Sequence, residues 1–438
     1  MSETAAETVA YVRDTMIDPQ PAPDAGTGAT QWLRENLLSG WLNILLTVVG
    51  ALAIFWLVQH FLPWFLHGVW KAESLAECRQ IIAERWGEGA SGACWAVIRA
   101  RWHQFMFGFY PPELYWRPIM VFVLMFVALA PILFQSLPRK MLWFSIVFPL
   151  LAIWLLWGGS IWPVAMTGAG FVVGGFVFSL LARTSVIAGF AGGALAAVLF
   201  WMFAVGPLDT ALSQVAPIAL TPVASDQFGG FLLALTLGAG GIAMSLPLGI
   251  VLALGRQSDM FLIKTLSVIF IEFIRGVPLI TLLFVASLLL NYFLPPGTNF
   301  DIILRVMILV TLFASAYIAE VIRGGLAALP RGQYEAADAL GLDYFQAQRH
   351  IVLPQALKIS IPGIVSTFIG MFKDTTLVTF VGLFDPLKGI PDFIRADFAW
   401  KGVYWEPFVF VGSIFFIFNF AMSRYSMYLE RKLKREHR

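Results

Sequence analysis

Ten long apolar runs constrain this chain more than any motif does. They lie near 41–65, 118–137, 141–159, 163–182, 186–206, 229–254, 268–294, 303–322, 359–383 and 405–423. Each can cross about 30 Å of hydrocarbon as a helix, which satisfies its own backbone N–H and C=O groups where water cannot. About ten transmembrane helices follow, and the expected fold is an all-α polytopic membrane protein. Composition agrees: of 438 residues, 59% are hydrophobic and 13% charged, and mean hydropathy is +0.77. Soluble domains carry about twice that charged share.

The ends of the runs give the orientation. Residues 1–36 are acidic and rich in Pro and Gly, which reads as a disordered segment. No basic stretch precedes an apolar run and a small-residue cleavage site there, so the first run stays as an anchor. "PRK" at 138–140, Arg183, Arg256 with Lys264, and the tail at 426–438 gather basic residues on one side, the cytoplasmic one. The opposite loops, "WGGSIW", 207–228 and "LPPGTNFD", hold Asp209, Asp226 and Asp301 but no Lys or Arg. Both termini are then cytoplasmic. A net charge of +2, placed at membrane edges, excludes nucleic acid as a partner.

The loop 67–117 falls outside, is long and aromatic, and reads as a small ordered cap. It contains both cysteines, Cys78 and Cys94. An oxidising exterior permits a disulfide between them, and two unpaired thiols are the alternative that spacing leaves open. In the 163–206 hairpin, Gly170 and Gly174, then Gly189 and Gly193, stand four apart, the spacing that lets helix backbones approach in lipid.

Residues 332–354, "GQYEAADALGLDYFQAQRHIVLP", form a polar insert between two apolar segments. Pro330 and Gly332 break the preceding helix, and "QYEAADAL" supplies helix formers that stop at Gly341. Asp343 with Gln346 makes a capping box for a second helix, which Pro354 should end. The result is an elbow presenting small Ala336 and Ala337 beside Tyr334, Glu335, Asp338, Tyr344 and Arg349. It reads as a docking knob, with an amphipathic connector on the headgroups as the plainer alternative.

Glu335-Ala336-Ala337, Gly341, Ile351, Leu353 and Pro354 reproduce the spacing EAA-x3-G-x9-I-x-LP. That pattern resembles the cytoplasmic coupling loop of bacterial ATP-binding-cassette (ABC) importer permeases, here 324–357. "IEFIRGVPLIT", "AYIAEVIRGG", "IVLPQALK" and "KDTTLV" extend the resemblance over 229–430, to the polar amino-acid branch. Within it the chain is most similar to general L-amino-acid and glutamate/glutamine/aspartate/asparagine permeases. The resemblance implies a five-helix type I importer core at 221–425. Residues 37–220 are then an N-terminal transmembrane extension whose 163–206 hairpin exceeds the usual pattern. It also implies partners: an ABC ATPase dimer that binds the ATP and Mg, a second homologous permease subunit, and a periplasmic amino-acid-binding protein. This chain itself has no G-x4-GK[ST] loop, no metal-ligand spacing and no catalytic constellation, so no enzyme activity and no cofactor of its own are expected.

Charges inside the runs complete the candidates. Glu272 and Arg275, and Glu320 and Arg323, stand three apart near the cytoplasmic ends of two spans and can pair along their own helices, with contact to substrate or bracing of the elbow as the alternatives that stay open. Lys373 and Asp374 lie about 20 Å along their span when counted from residue 359. With Thr375 and Thr376 they suggest a locally broken helix that complements the carboxylate and ammonium of an amino acid. A Lys–Asp pair that satisfies itself stays open beside this. For the whole chain, an ion-coupled secondary amino-acid transporter is the alternative function.

Overall fold

The computed structural model describes residues 29–134, 136–289 and 301–435. Most of the expected disordered segment 1–36, most of the "LPPGTNFD" loop and the last three residues of the basic tail lie outside them. Among the described residues the chain is almost entirely helical. Eight helices of the described residues are long and apolar enough to cross a membrane, or nine if one bent pair counts as a span.

By internal packing the chain divides into two compact units. The smaller comprises residues up to Val69 together with Ile81–Ala93. It holds α1 (Ala29–Asn36), which occupies the end of the segment expected to be disordered, and α2 (Trp41–Leu66), none of whose residues is buried. In this unit the Val69 N–H donates to the Ala93 carbonyl at 2.8 Å, and His67 stacks on Trp86.

The larger unit, Trp70–Gln80 and Cys94 onward, contains the other spans. α3 (Leu75–Trp86) begins in it, and α4 (Ala96–Phe107), α5 (Trp116–Leu133) and α6 (Leu142–Trp157) follow. α7 (Ile161–Leu181) and α8 (Val186–Phe203) make the expected hairpin, and α9 (Val205–Val215) bends from α8 by 53°. The close approach of this hairpin depends on the absence of side chains: a Cβ on Gly174 would stand 2.8 Å from the Gly193 carbonyl oxygen, and one on Gly193 2.7 Å from that of Gly174. Next come α10 (Gly230–Gln257), α11 (Phe261–Gly276), α12 (Leu279–Phe284), α13 (Ile302–Ala327), α14 (Gly332–Ala339), α15 (Tyr344–Ala347), α16 (Leu353–Asp374), α17 (Pro386–Ala396) and α18 (Trp405–Arg435).

The run expected as one span at 268–294 is not one helix. It starts earlier, breaks at Val277–Pro278, and continues as α12 and a π turn at Val285–Leu289. Proline has no N–H to continue the ladder and disfavours α geometry at Val277, so apolarity alone overstated the helix.

Loops assigned to opposite sides do separate within this unit. β1 (Gly159–Ser160) pairs antiparallel with β2 (Ala219–Leu220), and bridges join Gly108 to Phe228 and Gly229 to Phe384. These junctions gather the expected external loops at one end, around an apolar cluster that includes Tyr110, Leu156, Val223 and Phe228. A second cluster, with Ile271, Ile318, Ile322, Leu329, Val352 and Ala356, holds the segments expected at the cytoplasmic end.

Candidate functional site

The elbow forms as two short helices about Gly341. At the end of α14 the Gly341 N–H donates to the Asp338 carbonyl and the Leu342 N–H to that of Ala337, the paired bonds of a Schellman stop. Gly341 takes φ +68°, a left-handed conformation that costs an L side chain about 1–2 kcal/mol. Asp343 then caps α15: its side chain accepts from the Gln346 N–H at 2.8 Å, and the Gln346 side chain accepts from the Asp343 N–H.

Two expectations for the elbow are corrected. Ala336 is exposed, but Ala337 is buried in the chain's own packing and does not present itself to a partner. Pro354 does not end the second helix. α15 passes through a π turn at Gln348–Val352 directly into α16, with Pro354 in the first turn of α16. A wider turn relieves the clash of the proline ring with the carbonyl four residues back, so the chain continues. Ile351 and Leu353 are half-buried, whereas Glu335 and Pro354 are exposed. The knob's most prominent apolar groups are Leu340, Tyr344 and Phe345, all more than half exposed. Leu340 and Phe345 were not singled out from the sequence, although apolar residues inside a polar insert are a readable signal.

The elbow is braced from within. Tyr334 packs on the cluster that contains Val352 and Leu329, and the Gln355 amide donates both to Gln333 Oε1 at 2.8 Å and to the Ile351 carbonyl at 3.0 Å. Behind it, α13 and α16 cross closely: a Cβ on Gly325 would lie 2.6 Å from the Ala356 carbonyl oxygen.

The four expected ion-pair residues form one network rather than two intrahelical pairs. Glu320 accepts from Arg323 at 2.9 Å along α13, and lies 3.6 Å from Arg275 on α11 and 3.3 Å from Arg256 on α10. Arg256 also binds Glu272 at 2.7 Å, whereas the Glu272–Arg275 pair is long at 3.9 Å. Arg275 lies over the Tyr317 ring. In the sequence Arg256 marks only orientation; its tertiary role as the link between three helices depends on a crossing that sequence does not specify.

The helix break expected at Lys373–Thr376 is present: α16 ends at Asp374 and a 3-10 segment runs from Thr375 to Val381. Its depth is corrected. α16 starts at Leu353, so Lys373 stands about 30 Å along the helix, near its far end. Lys373 is exposed and Asp374 half-buried, and no ion pair between them is found among the described residues. Thr375 is fully buried and donates its hydroxyl to the Phe372 carbonyl, so it braces the break; half-buried Thr376 donates to the Lys373 carbonyl.

The family profile described as "Binding-protein-dependent transport system inner membrane component" matches residues 245–435. The whole chain is 66% identical to the "Glutamate/glutamine/aspartate/asparagine transport system permease protein BztC" of Rhodobacter capsulatus, covering 100% of both. The chain belongs to this family of ABC importer permeases. The permease is also 39% identical to the "Inner membrane amino-acid ABC transporter permease protein YhdY" of Escherichia coli, over 94% of this chain and 95% of that one. It is 31% identical to the "Probable glutamine ABC transporter permease protein GlnM" of Bacillus subtilis, over 49% of this chain and 95% of that one. A complete relative of that kind therefore matches about half of this permease. The ion-coupled alternative finds no support in this membership, and a transport permease is not an enzyme. Among the described residues no cluster of three or more His, Cys, Asp or Glu could hold a metal ion.

At the opposite end of the permease, Cys78 and Cys94 are joined in a disulfide, with Cα atoms 5.9 Å apart. The Cys94 N–H donates to buried Glu406 at the start of α18, the Leu75 N–H donates to the Ala399 carbonyl, and Arg101 pairs with Asp397. The disulfide thus staples a cap that grips the segment between α17 and α18. We expect that both cysteines react with a maleimide only after reduction, and that Cys78→Ser with Cys94→Ser lowers stability by about 3 kcal/mol, read as a lower detergent melting temperature. Labelling of both thiols in unreduced protein would contradict the bridge.

Asp385 was missed from the sequence. It is almost fully buried, caps α17 by accepting from the Leu387 and Lys388 N–H groups at 3.0 and 3.1 Å, and burial pushes its carboxyl up to about 6. Asp followed by Pro386 is a readable helix-start signal, but its burial depends on tertiary packing.

Proposed function

We propose that this permease takes up glutamate, glutamine, aspartate and asparagine, or a broader polar amino-acid set, through the bacterial inner membrane by alternating access. The observation that carries the reading is the 66% identity over the full chain, N-terminal extension included, to a permease named for those four substrates. In this reading the core is 221–425 and 37–220 is an extension. An ABC ATPase dimer, holding ATP and Mg, docks on the elbow 324–357. A second, homologous permease subunit completes a heterodimer, and a periplasmic binding protein delivers the amino acid. Both termini are cytoplasmic, and Lys373, Asp374 and Thr376 line the substrate path, with Thr375 bracing them.

The experiment is ATP-driven uptake of labelled L-glutamate by the assembled complex in proteoliposomes, with each of the twenty amino acids as competitor. Competition by the four named substrates supports the reading, and uptake without ATP, driven by an ion gradient, would refute it. Docking has its own test. Gly341→Asp puts a charged side chain on a left-handed turn whose Cβ position is open, so the cost is conformational, about 1–2 kcal/mol, and assembly with the ATPase should weaken roughly tenfold while membrane insertion is unchanged. Normal copurification and uptake in that variant would count against docking at this loop.

A further inference from the structure

The π turn at Gln348–Val352 stands between the two parts of the molecule that the proposed function must connect. On one side are the exposed Leu340, Tyr344 and Phe345 of the elbow; on the other is α16, which ends at Lys373 and Asp374. Within the turn the Leu353 N–H donates to the Gln348 carbonyl, five residues back rather than four. The next residue is Pro354, which has no N–H and whose ring would press on the carbonyl of His350 in α geometry. A π turn is an α-helix with one extra residue inserted, and each residue turns the helix by about 100° and advances it by about 1.5 Å. If the turn relaxed to α, the elbow would rotate by about that angle relative to α16.

The surroundings fix the register that the turn sets. Gln348 and Val352 are buried, and Val352 continues a buried row through Ala356, Ser360 and Ile364, four residues apart, against α13. The buried Gln348 Oε1 has no hydrogen-bond partner among the described residues. Gln355 ties α14 to α16 across the turn through Gln333 and at the same time takes up the Ile351 carbonyl.

We propose that Pro354 is a positioning residue: by excluding α geometry it holds Gln348–Val352 as a π turn, and this sets the rotation of the ATPase-docking elbow relative to the span that carries the candidate substrate contacts. The inference rests on the docking reading above and adds the element that converts docking into a defined rotation. Its role is geometric, so removing one residue from the turn can replace it.

The test compares the full permease complex with its Pro354→Ala variant and with Pro354→Ala lacking His350, an exposed residue of the turn. Restoring the N–H lets the turn relax to α and misrotates the elbow; deleting one residue then gives a continuous α-helix with the original rotation. ATP hydrolysed per L-glutamate transported should rise roughly tenfold or more in Pro354→Ala and return towards the parent value in the deletion variant. Parent-like coupling in Pro354→Ala overturns the proposal. So does a defect in coupling or assembly that the deletion does not repair, because the proline would then be needed for something other than register. Copurification of the ATPase with Tyr344→Glu is measured alongside: undiminished capture there refutes docking on the elbow, separately from the outcome for Pro354.

Discussion

Replacing Glu320 by Ala should cost about 2–3 kcal/mol of stability, while Glu272→Ala should cost no more than about 1 kcal/mol. The difference comes from placement. Glu320 faces three guanidiniums, from Arg256, Arg275 and Arg323, with its side chain only 22% exposed, whereas that of Glu272 is 53% exposed. Removing one partner of a buried pair strands the other charge at about 3–5 kcal/mol, and exposed pairs contribute about 0–1 kcal/mol, so a partly buried hub falls between the two. Without Glu320, two carboxylates serving three arginines become one, and like charges face each other where α10, α11 and α13 meet. The measurement is thermal unfolding in detergent for both variants. Equal melting temperatures for Glu320→Ala and the parent would show that the network is inert. Glu320→Gln separates charge from packing, since it keeps the volume and part of the hydrogen bonding; it should fall between the parent and Glu320→Ala.

That network also marks how far a sequence can be read. The intrahelical pair Glu320–Arg323 was legible because helical spacing brings residues three apart together whatever the fold. Arg256 joining them was not, since a contact across sixteen or more residues requires the crossing of α10 and α11. The elbow shows the same division. Its glycine stop and capping box follow from local backbone chemistry and are found where expected, on Gly341 and Asp343. The burial of Ala337 and the passage of the chain through Pro354 depend on how α14 and α16 pack around Val352 and Tyr334, which no local rule contains. Most spans were legible because the hydrocarbon thickness sets their length. Val277–Pro278 was not, because a window of mean apolarity does not register a single missing N–H.

Lys373→Met should abolish most uptake while leaving expression and assembly with the ATPase intact. The substitution keeps much of the apolar stem and removes the ammonium, which stands exposed where α16 gives way to the 3-10 segment. Adjacent residues on a helix point about 100° apart, and no ion pair is found between Lys373 and Asp374, so each charge remains available to a zwitterionic amino acid. Thr376 stands one turn on; Thr375, buried with its hydroxyl bonded to the Phe372 carbonyl, stiffens the break. A pair that served only structure would behave differently. Lys373→Met alone would then destabilise the fold by stranding Asp374, and Lys373→Met with Asp374→Leu would recover both stability and transport, because an apolar pair often replaces an ionic one at no cost. A pair that contacts substrate cannot be rescued this way: the double variant loses both complementary charges and stays inactive with normal stability. L-glutamate uptake and detergent melting of the single and double variants separate the two cases, and full transport by the double variant would remove Lys373 and Asp374 from the substrate path.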